Sequence, residues 1–204
     1  MKSVTLTNQH IKTAMRLFAV AAICLLLIFS LFNLTQQAAK DSEKHFLIQS
    51  LSKVLPRHDF DNDLLSTRSI DSKTKTTIYQ ACQRGQPRYQ IYEIETYKGY
   101  SGLIRLLVAV DLQSRHIVQA RPLFHQETPG LGDQIEVEKS PWLRQFYLPL
   151  TTPRAHIAIK KDGGQIDSIT GATITSRAVT YLMRKTFFER GLTNLTNLCN
   201  NKTP

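Results

Sequence analysis

An apolar run near the N-terminus constrains this chain more than any other feature. Leu17 to Phe32 is interrupted only by Ser30 and is hydrophobic all round rather than striped, which disfavours a helix of a soluble domain. A cleaved signal peptide would suit the short run and the following Ala38-Ala39, but its apolar core usually has only about 7–15 residues. A membrane-spanning helix needs roughly 17–25 residues, fewer in a thin bilayer. We therefore predict one uncleaved transmembrane helix over residues 11–35.

The charges around this run predict its orientation. Residues 1–40 contain Lys2, Lys12, Arg16 and Lys40 and no acidic residue. By the positive-inside rule, residues 1–10 form a cytoplasmic N-terminus and the rest of the chain is exported. The remaining 22 basic and 16 acidic residues are scattered, with no dense basic run. Nucleic-acid binding is therefore not expected.

The cysteine and histidine patterns do not indicate a metal site. The three cysteines, Cys24, Cys82 and Cys199, form no CxxC pair and have no zinc spacing. Cys82 and Cys199 could form a disulfide outside the cytoplasm, but the sequence leaves open whether they approach each other. The loop from His125 to Asp133 is a weak candidate for metal binding. Its Pro129-Gly130 and Gly132 better suit an open loop that closes over a ligand.

The remaining periodicities predict an α+β domain. A helix from Gln36 to Pro56 and an irregular stretch form a connector over residues 36–75, and a flexible tail follows at 193–204. The domain between them, residues 76–192, begins with a period of two that predicts an antiparallel meander of about four strands. These strands are Ile78–Ala81, Tyr89–Thr96, Leu103–Asp111 and Ile117–Leu123. After these strands we expect a short helix (Ser140–Tyr147) and a strand (Ala155–Lys160). A last helix should contain Val179, Leu182, Met183 and Phe187 and stop at Gly191.

The stretch Asp167-Ser-Ile-Thr-Gly-Ala-Thr-Ile-Thr-Ser176 lies where that last helix begins. Helix N-termini attract phosphate, because their first N–H groups are unpaired and the macrodipole is positive there. Residue types alone leave several interpretations open. Thr175 or Ser176 could simply cap the helix, or a threonine hydroxyl could be esterified. A nucleotide phosphate loop is disfavoured because no lysine follows the glycine, and a Ser or Thr nucleophile is disfavoured because no His or acid has a recognisable spacing.

The run Asp167-Ser-Ile-Thr-Gly-Ala-Thr173 resembles the pattern D-x-x-[ST]-G-A-T that flavin transferases recognise. Three further stretches, Gly99–Gly102, His125–Asp133 and Lys160–Gly164, occur in the order found in the G subunit of the Rnf (Rsx) ion-translocating electron-transport complex. The resemblance spans about residues 11–190 and includes the anchor, and it is weakest over residues 57–90. It implies an N-terminal transmembrane helix followed by one FMN-binding domain with an antiparallel sheet and flanking helices.

The resemblance also implies the site. Thr173 would be the acceptor of FMN through a phosphoester, with Thr175 as the competing candidate. The transferase would read Asp167, Thr170, Gly171 and Ala172. Lys160 or Lys161 would offset the charge of the phosphodiester. The flavin ring would be flanked by Tyr100, Ser101, Glu127, Thr128 and Leu131. No acid–base machinery is expected, because the flavin itself is the redox-active group.

The implied protein is a single-pass subunit in a bacterial inner membrane, with its C-terminal domain on the periplasmic side. It would relay electrons beside other subunits of a complex that couples ferredoxin/NAD redox chemistry to ion movement, without turnover of its own. Its partners would be those subunits, the lipid bilayer and a flavin transferase. Two alternatives remain, namely the C subunit of a sodium-pumping NADH:quinone reductase, which is usually longer, and a flavin-free structural or assembly subunit.

Overall fold

A computed structural model describes residues 8–55, 60–71, 74–189 and 197–199. The chain divides into two compact units, Met1–Phe46 and Leu47–Pro204. Most of the predicted cytoplasmic N-terminus, the Gly191 stop and most of the predicted flexible tail lie outside the described residues.

The first helix, α1, runs from Asn8 to Lys53 without interruption. The predicted transmembrane helix and the predicted helix that follows it are therefore one element. The helix is long and apolar enough over part of its length to cross a membrane. Its large apolar side chains are exposed throughout that part; Phe18, for example, is 76% exposed. Such a surface is unfavourable in water and suits a hydrocarbon environment.

The second unit is built on a five-stranded antiparallel meander in the order β1-β2-β3-β4-β5. The strands are β1 (Ser69–Ile70), β2 (Thr77–Gln83), β3 (Gln86–Gly99), β4 (Gly102–Asp111) and β5 (His116–His125). The alternating pattern predicted the four longer strands correctly. The two-residue β1 lies in the predicted irregular connector, where Ser69 pairs with Ile78. A strand this short has no readable periodicity.

The two faces of the sheet bury separate apolar clusters because successive side chains point to opposite sides. One cluster contains Tyr79, Ile91 and Leu107 and packs on Leu51 and Val54 at the end of α1. The other packs on the second half of the domain and includes Ile78, Leu106, Val108, Trp142, Phe146, Val179, Met183 and Phe187. Strand β4 contributes to both clusters and is therefore covered on both faces.

Helix α2 runs from Thr173 to Met183 and continues as a π-helical turn from Arg184 to Glu189. Its apolar side chains recur at helical spacing and lie on the sheet. Phe187 meets the ring of Tyr92 edge to face, with the ring centroids 5.3 Å apart. This contact holds the C-terminal end of the helical segment against β3.

Two local predictions were wrong. The expected strand Ala155–Lys160 is a pair of 3-10 turns, Arg154–His156 and Lys160–Asp162, with a single bridge between Ile159 and Ile166. The chain folds back so tightly there that a Cβ on Gly164 would lie 2.0 Å from the Ala158 carbonyl oxygen. The expected helix Ser140–Tyr147 is a shorter 3-10 helix from Trp142 to Phe146.

A disulfide joins Cys82 in β2 to Cys199, with the two Cα atoms 5.7 Å apart. The backbone N–H of Leu198 donates to Gln80 Oε1 at 2.9 Å. Residues 197–199 are therefore held against the sheet, contrary to the flexible tail predicted for this stretch. Closing a loop of this length restricts the unfolded chain strongly, by roughly 4–5 kcal/mol in the chain-entropy account.

Candidate functional site

Three separate segments meet at the start of α2, and Glu127 joins them. Its carboxylate is buried on the loop after β5. Oε2 accepts a hydrogen bond from the Thr175 hydroxyl at 2.5 Å, and Oε1 accepts one from the backbone N–H of Ser101 at 3.1 Å. Charge-assisted hydrogen bonds of this kind are about twice as strong as neutral ones. Glu127 therefore acts as a clamp between the β3–β4 turn, its own loop and the helix.

Two glycines make room for this clamp. A Cβ on Gly99 would lie 2.6 Å from Glu127 Oε1, and a Cβ on Gly132 would lie 2.6 Å from Glu127 Oε2. Real side chains essentially never approach so closely, so both positions require glycine. The sequence suggested Glu127 as a wall of the flavin site. The structure buries its carboxylate, and both oxygens accept hydrogen bonds from other residues of the protein.

The loop that carries Glu127 is fixed from the other side by charged side chains. His125 Nδ1 accepts from the Glu127 N–H at 3.3 Å, which assigns the proton to Nε2, and Nε2 lies 3.1 Å from Glu136 Oε1. Lys139 contacts Glu136 at 2.7 Å and Asp133 at 2.8 Å. The hydrogen bond from Lys139 lowers the pKa of Asp133 below its usual range. The loop is thus a cross-braced element rather than a freely opening one.

The hydroxyls of the Thr173–Ser176 turn have distinct environments. Thr175 is fully buried and bonded to Glu127. Ser176 Oγ accepts from the Ile169 N–H and donates to the Ala172 carbonyl, both at 2.9 Å. Thr173 is half-buried as the first residue of α2, and Lys161 Nζ reaches its hydroxyl at 3.5 Å. Ala172 occupies the N-cap position without a side-chain bond, so the expectation that Thr175 or Ser176 caps the helix was wrong.

The backbone before the helix is shaped by one glycine and held by two side chains. Gly171 has φ +78°, and a Cβ there would also lie 2.8 Å from Leu131 Cδ2. The Asp167 carbonyl accepts from Trp142 Nε1 at 2.6 Å, and its N–H donates to Gln145 Oε1 at 2.7 Å. No sequence pattern indicated Gln145. Trp142, the only tryptophan in the sequence, is buried and hydrogen-bonded to this turn.

The other expected site residues form the exposed surface around Thr173. Lys160 pairs with Asp167 at 2.7 Å, and both side chains are exposed. Ser101, Thr128 and Thr170 are exposed as well. Three apolar side chains also face outward, namely Tyr100 (68% exposed), Leu131 (44%) and Ile174 (51%). Tyr100 and Leu131 come from the two segments that Glu127 joins to the helix.

This arrangement suits a phosphorylated ligand with a flat apolar body. The first helical hydrogen bond of α2 is made by the Ser176 N–H to the Ala172 carbonyl at 3.0 Å, which leaves the N–H groups of Thr173, Ile174 and Thr175 without a partner inside the helix. These donors and Lys161 favour negative charge at the Thr173 hydroxyl. The exposed Leu131 lies against Gly171 and offers apolar surface at this turn, and Tyr100 is exposed on the β3–β4 turn that Glu127 joins to the helix.

Comparison with known proteins agrees with this chemistry. Residues 99–187 match the FMN-binding domain family. The chain is 36% identical over 189 residues to the G subunit of an ion-translocating oxidoreductase complex from Aliivibrio fischeri, which covers 88% of each chain. It is 39% identical over 165 residues to the protein of the same name from Stutzerimonas stutzeri, covering 77% of this chain and 72% of that one. A crystal structure of Shewanella oneidensis NqrC aligns with a TM-score of 0.44 at 24% identity, covering 64% of this chain and 67% of the other.

Proposed function

Because this chain belongs to the family of G subunits of ion-translocating oxidoreductase complexes, we propose that it is a membrane-anchored flavoprotein that relays electrons between other subunits of such a complex. In this proposal FMN is attached covalently, through a phosphoester to Thr173. A flavin transferase makes the bond from a flavin dinucleotide: the Thr173 hydroxyl attacks the phosphorus on the FMN side, the pyrophosphate bond breaks, the nucleoside monophosphate leaves and the hydroxyl proton passes to solvent. The mature subunit has no independent turnover.

The observation that favours Thr173 is the contrast between the hydroxyls near the helix start. A transferase needs a hydroxyl that can leave its hydrogen bonds and reach solvent. Thr175 is fully buried and engaged by Glu127. Thr173 is half-buried, and among the described residues its hydroxyl forms a side-chain hydrogen bond with Lys161 Nζ alone. The neighbouring Asp167, Thr170 and Gly171 are exposed and accessible to a modifying enzyme, while Ala172 keeps the turn narrow.

The residues around Thr173 would hold the attached group by charge and by apolar contact. A phosphodiester has one negative charge, which the first-turn N–H groups and Lys161 would offset. Lys160 is engaged with Asp167 and would act as a secondary cation. Tyr100, Leu131 and the backbone of Ser101 and Thr128 would flank the ring. When bound, FMN supplies reversible one- and two-electron redox chemistry.

Several observations support an exported domain. Residues 1–40 contain lysines and arginine but no acidic residue, which favours a cytoplasmic N-terminus by the positive-inside rule. The Cys82–Cys199 disulfide would persist in an oxidising compartment such as the periplasm and not in the cytoplasm. A reporter enzyme that is active only outside the cytoplasm, fused after Pro204, should therefore be active. Activity of a fused reporter that works only in the cytoplasm would contradict this orientation.

Covalent attachment can be tested by in-gel fluorescence. The full chain is expressed with a flavin transferase, denatured, separated on a gel and illuminated, and the tryptic peptide containing Thr173 is weighed. We expect a fluorescent band and a peptide heavier by one esterified FMN. Thr173→Ala should lose both completely while remaining folded, and Thr173→Ser should retain some attachment because it keeps a hydroxyl.

The result separates the proposal from its alternatives. Fluorescence that persists in Thr173→Ala would place the acceptor at another hydroxyl. A wild-type band without flavin would favour a structural or assembly subunit, in which the Thr173 turn merely begins a helix.

A further inference from the structure

The outer face of α2 borders an open groove of about 500 Å³. Ile174, Arg177, Ala178 and Tyr181 lie on one side of it, at the spacing of a single helix face. The segment 157–159 forms the opposite side with two isoleucines and an alanine. The lining is therefore mainly aliphatic, and its size would accommodate a few side chains of another molecule.

The rim of this groove is positively charged. Lys98 Nζ lies 4.2 Å from the centre of the Tyr181 ring, and Arg184 and Lys185 approach the same ring at 5.7 Å. Arg184 Nε is 3.3 Å from Glu189. Within the described residues, Lys98 and Lys185 form no ion pair with a carboxylate. Like charges that converge without a counterion create a positive potential that favours an anion.

We propose that the groove docks an acidic segment of another subunit of the complex, an inference that rests on the proposed function. One or more carboxylates of that segment would meet Lys98 and Lys185. An apolar side chain would lie on the exposed Ile174 and the half-buried Tyr181. Because Ile174 lines the groove and directly follows Thr173, this docking would bring the partner subunit next to the attached flavin.

Charge complementarity is the reason for choosing an acidic protein segment. Of the charged residues that line the groove, Asp162 is the single acid, and Arg177 already neutralises it with two hydrogen bonds of 2.7 Å. Arg184 is paired with Glu189, so the cations available to an outside carboxylate are Lys98 and Lys185, which approaches the same Tyr181 ring. Electrostatic complementarity of this kind guides encounter and fixes register between subunits, and it weakens with added salt.

The inference can be tested by photo-crosslinking in the assembled complex. All subunits are co-expressed with the transferase, p-benzoylphenylalanine replaces Tyr181, and membranes are irradiated before the cross-linked peptides are sequenced. Tyr181 lies outside the transferase motif, so flavin attachment is not disturbed. We expect a cross-link to a segment of another subunit that contains at least two acidic residues within a few positions. Cross-links to lipid alone, to a neutral segment, or to nothing would overturn the proposal.

Charge variants complete the test. Lys98→Glu should lower the cross-link yield about tenfold, because it replaces attraction by repulsion, whereas Lys98→Arg should stay within about twofold of wild type. Arg144→Glu, which reverses an exposed cation outside the groove, is the matched control and should have no effect. A yield that does not change in Lys98→Glu would refute docking by charge. In-gel flavin fluorescence should be equal in all variants, so loss of flavin would signal failure of the proposed function rather than of the groove.

Discussion

The first turn of α2 has a buried side and an open side, and each side carries a threonine. On the buried side, the Thr175 hydroxyl donates a hydrogen bond to Glu127, and the Ser176 hydroxyl donates one to the preceding backbone. On the open side, Thr173, Ile174 and Arg177 face solvent at least in part. Both sides present threonine, two residues apart. What distinguishes them is the element that packs against each, because the partner of Thr175 comes from 48 residues earlier in the chain.

This difference explains how the Thr173 hydroxyl can be held in position without being tied up in the buried hydrogen-bond network. The buried side is a closed hydrogen-bond network in which the two Glu127 oxygens and the Thr175 and Ser176 hydroxyls all have partners. Such networks are rigid when fully satisfied. The backbone of Thr173 is held in place by this neighbouring network, while the Thr173 side chain remains available for modification. The two sides should therefore respond differently to substitution.

The largest effect is expected from adding one methyl group to the buried side. In Gly132→Ala the new Cβ would lie 2.6 Å from Glu127 Oε2, 2.8 Å from Glu127 Cβ and 3.0 Å from the Thr175 hydroxyl. Overpacking of this kind should lower the free energy of unfolding by about 3 kcal/mol, measured by urea denaturation.

Gly130→Ala is the matched control for this variant. Gly130 lies on the same loop with φ +78° and has open space around its Cβ position, so only backbone strain of about 1 kcal/mol is expected. Equal losses in the two variants would mean that the buried clamp is not tightly packed around Glu127.

An exchange of threonine for valine should separate the two sides by function. Thr175→Val keeps the shape but leaves Glu127 Oε2 without its donor, which should destabilise the domain by about 2 kcal/mol. Its covalent flavin should remain. Thr173→Val should change stability by less than about 0.5 kcal/mol and abolish the covalent flavin. Urea midpoints and in-gel fluorescence measure the two effects independently. If Thr175→Val lost the flavin while staying folded, the buried hydroxyl would have a direct role in attachment.

The meander and the helices could be predicted from sequence because their signals are local. The apolar patterns of β3 and β4 reflect strands with a cluster on each face, and the spacing of Val179, Met183 and Phe187 reflects a helix with one face on the core. Alternation misled at Ile157 and Ile159, whose side chains are buried although their backbone forms turns. A residue pattern reports burial, and burial does not require a strand.

The contacts that define the site could not be read in the same way. The clamp between Glu127 and Thr175 depends on how the loop after β5 meets α2, and the Cys82–Cys199 disulfide joins residues 117 positions apart. The local sequence around one residue does not indicate its partner in such a pair. The resemblance in motifs predicted that Tyr100, Glu127 and Leu131 flank the ligand, and the structure buries Glu127 whereas Tyr100 and Leu131 are exposed.

The smallest effect expected concerns the pH dependence of stability. It compares the buried Asp133, paired with Lys139, and the more exposed Asp162, paired with Arg177. The hydrogen bond from Lys139 lowers the pKa of Asp133, and the hydrogen bonds from Arg177 lower that of Asp162. A lowered folded-state pKa stabilises the fold above the ordinary aspartate range near pH 4, and that stability is lost as the pH falls below it. The Asp133 side chain is only 6% exposed, against 39% for Asp162, so solvent and salt should screen the second pair more. Urea midpoints between pH 6 and 3 should therefore fall less steeply in Asp133→Asn than in wild type, with a weaker and salt-sensitive change in Asp162→Asn. An equal flattening in both variants would show that the two sides of the helix start experience the same electrostatic environment.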